Sequence, residues 1–131
     1  MDLNSSTVVG LVAAGILVTG IIAALVWKLR EPQDPAAQAE RMRKDAQRFA
    51  QLLVSEIKLY NQRRVTEGCK QQDLYVRLRE EIDRARAMYD KRVDWLVVDR
   101  DYFHDSVVEI LCGGEAELLG EEYPGPVRAI H

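Results

Sequence analysis

Asp101, His104 and Asp105 are the residues of this chain best spaced to do chemistry. At i, i+3 and i+4 they share one face of any helix that carries them, and two carboxylates with an imidazole could give a metal ion three ligands. No fourth ligand accompanies them, and a helix start favours acidic residues anyway because they complement its dipole. His104 as a general base has no accompanying nucleophile motif, Cys112 being the thiol that folding could bring up. The segment from Asp99 to Ile110 lacks the central Gly and the closing Glu of a calcium loop. Gly113-Gly114 follows a helical pattern and lacks the Lys of a phosphate loop. No complete catalytic motif is present, so the chain reads as a non-enzyme without a metal or cofactor.

Cys69 and Cys112 are the two cysteines, far apart in sequence and without a C-x-x-C partner. In a reducing cytoplasm they are expected to be free thiols, whereas a disulfide between them would argue for the opposite side of a membrane.

Charge is unevenly placed. The chain has 18 basic and 21 acidic residues. Residues 1–64 hold 9 basic and 6 acidic groups, a net +3, and residues 65–131 hold 9 basic and 15 acidic, a net −6. Lys28, Arg30, Arg41, Arg43, Lys44 and Arg48 form a basic cluster that could hold anionic lipid headgroups at about 1 kcal/mol per residue near the surface. The same cluster is equally a topology determinant with a solvated helix face. The acidic distal half excludes nucleic acid as a partner, since that binding neutralises phosphates.

These groups are organised around the stretch Thr7 to Trp27, 21 residues without a charge. As a helix it is roughly 31 Å long at about 1.5 Å per residue, the thickness of a bilayer core. It has no polar face, and Thr7 and Thr19, its only hydroxyls, can each return a hydrogen bond to the helix backbone. The leader carries Asp2 and no Lys or Arg, and the apolar core runs into Trp27-Lys28-Leu29-Arg30 rather than an A-x-A site, so a retained anchor is expected, not a signal peptide. The positive-inside bias puts the N-terminus outside and the domain after the span in the cytoplasm of a bacterial cell, with Trp27, Lys28, Arg30, Arg41, Arg43 and Lys44 near the membrane interface. Gly10 with Ala14, Gly15 with Thr19, and Gly20 with Ala24 are each four apart. Gly10, Ala13, Ala14, Gly20 and Ala24 therefore form a candidate face for close helix docking, although Gly and Ala are common in membrane helices generally. No His, Asn or charge lies in the span, which leaves it without a ligand for a haem or chlorophyll metal.

The segmentation expected is a leader over 1–6, a transmembrane helix over 7–29, a linker over 30–34, a helical domain over 35–119 and an extended tail over 120–131. The linker, with Pro32 and Pro35, keeps the domain near the membrane, and Asp34 before Pro35 reads as an N-cap. The fold class is all-α: one span followed by a three-helix domain, a long antiparallel hairpin plus a shorter third helix. The first helix runs from Pro35 to about Glu67 on the stripe Ala39, Met42, Ala46, Phe49, Leu53, Ile57 and Tyr60, widened by Leu52 and Leu59, and Gly68 ends it. The second runs from an Asp73 cap to about Val93 on Leu74, Leu78, Ile82, Ala85, Tyr89 and Val93. Trp95-Leu96-Val97-Val98 lies across the open end of the hairpin. Asp99 or Asp101 caps the third helix, which turns Phe103, Val107, Ile110 and Leu111 inward and stops at Gly113-Gly114, with one further turn over Glu115–Leu119.

The runs LLVSEIKLYNQRRVTEG, DLYVRLREEIDRARAMYDKRV and DYFHDSVVEIL resemble an uncharacterised helical segment of acidobacterial and deltaproteobacterial proteins. The resemblance covers roughly residues 46–119 and is most specific at Val54-Ser55-Glu56-Ile57 and Leu59-Tyr60-Asn61. It implies a helical interaction module and brings no catalytic residue. Through its acidobacterial lineage it also implies one membrane assembly, a bacterial photosynthetic reaction centre with this chain as a small subunit, a link that no residue here carries. The expected function is a single-span accessory or structural subunit of a larger membrane complex. The competing expectation is a free membrane-tethered adaptor that recruits soluble partners.

Overall fold

A computed structural model describes residues 3–30, 32 and 34–127, with side chains from residue 10 onward. Residues 31 and 33 of the expected linker, residues 1–2 of the leader, the side chain of Thr7 and the end of the tail at 128–131 lie outside that description. The chain divides into two compact units, Met1–Asp34 and Pro35–His131. Both are helical, and no strand occurs among the described residues.

The first unit is one helix, α1, Leu3–Leu29. It starts inside the stretch expected to be a leader. Thr19 Oγ1 donates to the Gly15 carbonyl at 2.7 Å, so the hydroxyl is satisfied within the helix. Arg30 N–H closes the last turn on the Val26 and Trp27 carbonyls. Gly10–Leu29, 20 residues of mean hydropathy 2.3 with none buried, is long and apolar enough to cross a membrane.

The second unit opens with α2, Pro35–Tyr60. Its buried residues are Ala46, Ala50, Leu53, Val54 and Ile57. Leu52, Leu59 and Tyr60, expected in the stripe, are instead 56, 61 and 80 % exposed. Helical spacing alone placed them one turn-edge away from the core. What shifts the buried arc toward Ala50 and Val54 is that α2 is covered from two sides, by α5 and by the α6 segment.

The single helix expected over 35–67 is broken at Asn61 (φ −131°). The Asn61 amide donates to the Ile57 carbonyl at 2.9 Å, and a side chain that bonds locally to the backbone offers it an alternative to the helical ladder. α3, Gln62–Gln71, follows. Gly68 does not end a helix, contrary to expectation: the left-handed residue is Gln72 (φ 55°), whose N–H donates back to the Gly68 carbonyl. Gly68 is required by packing, because a Cβ there would lie 2.7 Å from Leu74 Cδ1 and 2.9 Å from Leu74 Cα. The second expected helix is likewise divided, into α4, Leu74–Arg77, and α5, Arg79–Arg92, at Leu78 (φ −112°). Asp73 precedes α4 as expected, yet its carboxylate takes a hydrogen bond from Arg77 Nε at 2.6 Å and caps no backbone N–H.

Residues 94–98 form a turn in which Val98 is buried and Leu96 is 89 % exposed. α6, Tyr102–Ser106, continues into a π-turn, Val107–Leu111, and ends at Gly113 and Gly114, both at positive φ. A 3₁₀ turn, Ala116–Leu119, follows. The core of the second unit gathers Val54, Val65, Leu74, Leu78, Ile82, Tyr89, Phe103, Val107 and Leu119. Beyond it, residues 120–127 have no regular structure. They turn at Gly120 (φ 87°), where a Cβ would sit 2.9 Å from the Gln72 carbonyl oxygen.

Candidate functional site

The most elaborate polar centre of the domain is built on Asp101, at the start of α6, and Arg86, on α5 beside the buried register Ile82–Ala85–Tyr89. Arg86 Nη1 and Nη2 donate to Asp101 Oδ1 and Oδ2, both at 2.7 Å. The Asp101 side chain is 3 % exposed and that of Arg86 18 %. The guanidinium is flanked by the rings of Phe103, Tyr89 and Trp95, with centroids at 5.3, 5.8 and 6.0 Å. Asp101 also accepts the His104 backbone N–H at 3.1 Å, capping α6, and the Val127 N–H at 2.8 Å, which fastens the tail. Burial alone would raise the Asp101 pKa, but hydrogen bonds from Arg86, Val127 and His104 outweigh it and hold the carboxyl below its ordinary value.

His104 and Asp105 are engaged elsewhere. His104 Nδ1 lies 2.9 Å from the Tyr123 hydroxyl, with the two rings stacked at 5.6 Å. Asp105 accepts from Arg100 Nε at 2.5 Å. The three residues that sequence spacing offered as metal ligands thus hold a cap, a tail contact and a surface ion pair. Among the described residues no group of three or more His, Cys, Asp or Glu side chains is placed to hold a metal ion. Sequence reasoning passed over Arg86 and Val127; the signal available was a charged residue, Arg86, on the edge of an otherwise apolar stripe.

The two thiols are free. Cys69 is half-buried and its Sγ donates to the Leu111 carbonyl at 3.3 Å. Cys112 is buried, which pushes its pKa up to about 12. Neither has the lowered pKa of a reactive cysteine.

On α1, Ala13, Ala14 and Ala24 are exposed, and a Cβ added at Gly10, Gly15 or Gly20 would meet nothing within 4 Å. The bulky neighbours are open too, among them Leu11 at 69 %, Ile16 at 67 % and Trp27 at 78 %. Lys28 and Arg30 mark the end of α1, and Arg41, Arg43 and Lys44 lie on the first half of α2. Arg43 stands 3.9 Å from both Glu40 and Asp99, and Lys44 stands 3.9 Å from Glu40. Arg41 and Arg48 form no ion pair among the described residues.

Comparison of the chain with protein-family models, with curated proteins and with solved structures gives no match.

Proposed function

We propose that the protein is a single-span, membrane-anchored accessory subunit of a larger membrane complex, acting by helix docking and protein–protein contact and not by catalysis. The observation that carries this reading is α1: a 20-residue stretch of mean hydropathy 2.3, Gly10–Leu29, whose one charge is Lys28 at its end and none of which is buried, attached to a separate compact helical unit. Such a surface is incompatible with water and has two natural solvents, lipid and another helix. The small residues Gly10, Ala13, Ala14, Gly20 and Ala24 suit the second. In the folded unit, Asp101, His104 and Asp105 are engaged by Arg86, Tyr123 and Arg100, which supports a role in packing and surface contact. The orientation that fits the basic residues is N-terminus outside and helical domain in the cytoplasm of a bacterial cell.

Extraction in mild detergent, native electrophoresis and mass spectrometry of the resulting band test the proposal. Stoichiometric migration with one large membrane complex is the expected outcome, and the masses in that band would name the assembly, a photosynthetic reaction centre being the specific case implied by lineage. Migration as a lone monomer or homodimer would support the second reading, a free adaptor that recruits soluble partners.

A further inference from the structure

The face of α2 turned away from the core is not an ordinary solvated face. Positions 41, 48, 52 and 59 follow steps of seven, four and seven, so at 3.6 residues per turn they fall on one line within about 40°. That line runs roughly opposite the buried residues Ala46, Ala50, Leu53 and Ile57. It carries Arg41 and Arg48, both exposed, then Leu52 at 56 % and Leu59 at 61 % exposure. Lys44, Asp45, Ser55 and Glu56 flank it, so the face carries three basic against two acidic residues and is net positive. Arg92 of α5 lies over the Phe49 ring at 4.3 Å, adding a cation and an aromatic surface at the Asp45–Leu52 edge. Arg41 and Arg48 have no acidic partner among the described residues, whereas Arg43 and Lys44 have Glu40.

We infer that this outer face of α2 is a membrane-surface contact: Arg41 and Arg48 hold anionic phospholipid headgroups while Leu52 and Leu59 enter the headgroup–acyl boundary. The inference rests on the membrane-anchor reading of α1 and adds to it a second, peripheral contact made by the folded domain. Leucines in line with unpaired arginines on the face opposite a core are the composition of a helix lying in an interface, where apolar side chains sink about 5–10 Å and each cation near the surface adds about 1 kcal/mol. The tether favours lipid over a soluble partner as occupant. Only about five residues separate the end of α1 from the start of α2, a reach of roughly 17 Å fully extended. The start of α2 is therefore held close to the end of the span, and Arg41 and Arg48, about 9 and 20 Å further along the helix, reach the headgroups when α2 lies along the surface.

The test uses the full chain in vesicles of bromolipid phosphatidylcholine, with and without phosphatidylglycerol. Trp27→Phe removes the tryptophan of the span, the emission of the remaining Trp95 is subtracted using that parent, and a reporter tryptophan is placed by Leu59→Trp or, as the control on another face of α2, by Gln51→Trp. With phosphatidylglycerol present, the position-59 reporter should lose about half its emission to bromine and the position-51 reporter far less, as insertion to the acyl boundary requires. Arg41→Gln with Arg48→Gln should abolish most of that difference, and so should omission of the anionic lipid. Equal quenching of the two reporters, with the chain still floating with the vesicles after alkaline carbonate, would overturn the inference and leave the anchor intact. Release by carbonate would overturn the anchor reading and this one with it. A dimer in which the position-59 reporter is shielded from bromolipid would assign the face to a second copy and overturn the lipid contact.

Discussion

At the scale of single residues, Asp101 decides more than any other. One carboxylate pairs with Arg86, caps α6 and fastens the tail through Val127. Its folded-state pKa is depressed, whereas the unfolded value is about 3.9. Between the two values the unfolded chain binds more protons than the folded one. The stabilisation is therefore complete above pH about 4 and is lost as pH falls through the folded-state value. Asp101→Asn should remove this acid-dependent component and leave Arg86 in a ring of aromatics with only the more exposed Asp90, at 3.4 Å, as counter-charge, a loss of about 3 kcal/mol. Denaturant titration of the full chain in detergent at pH 7 and again near pH 3 checks both parts: the gap between wild type and variant should narrow at the acid end. A gap independent of pH would mean that the carboxylate matters only through its shape. Asp90 works in the opposite direction, its pKa being raised by burial despite Arg86 and raised further by the Asp101 charge, so its opposing contribution shrinks in the variant.

At the scale of elements, the sharpest constraint is where α3 meets α4. Ala is worth about 1 kcal/mol more than Gly in a helix interior, so propensity argues that Gly68→Ala should stabilise α3. The geometry argues otherwise, because the new methyl would press on Leu74 Cα, a backbone atom that cannot swing aside, at 2.9 Å. Overpacking of this kind costs about 1–3 kcal/mol and should win. Thermal unfolding is the measurement: a lowered midpoint is expected, and a raised one would show that the two helices slide apart cheaply. Leu74 is itself fully buried, so the clash is transmitted to the centre of the core and not to solvent.

At the scale of the whole molecule, in the proposed role of an anchored subunit of a parent complex, α1 would either only hold the chain in the bilayer or also recognise a partner there. A tether requires length and hydrophobicity alone; a docking helix also requires that no bulk stand on its small face. Gly20→Leu with Ala24→Leu should leave insertion intact, since Leu is favourable in the bilayer, and should reduce recovery of the chain in its parent complex several-fold, about 1 kcal/mol of lost packing being about a factor of five. Val18→Leu with Ile22→Leu, on another face, should leave recovery unchanged. Equal recovery of both variants would make the span a plain anchor and move the interaction to the helical domain.

The sequence by itself determined what one-dimensional patterns can determine. An uncharged run of 21 residues makes α1 apolar on every side whatever surrounds it, and steps of three and four make the rest of the chain helical. The buried set Leu74, Leu78, Ile82, Ala85 and Tyr89 on α4 and α5 was legible for the same reason: a local repeat faces one way. The tertiary structure decided everything that depends on a second element. Periodicity cannot say how wide a buried arc is, so Leu52, Leu59 and Tyr60 read as core until α5 and α6 cover the other flank. It cannot tell a glycine that ends a helix from one that lets Leu74 approach, and it cannot see that Asn61 bonds back to Ile57 and breaks the chain there. Asp101, His104 and Asp105 share a face by spacing, yet their partners are Arg86, Tyr123, Arg100 and Val127, up to 26 positions away, and only the fold brings those groups within hydrogen-bonding distance.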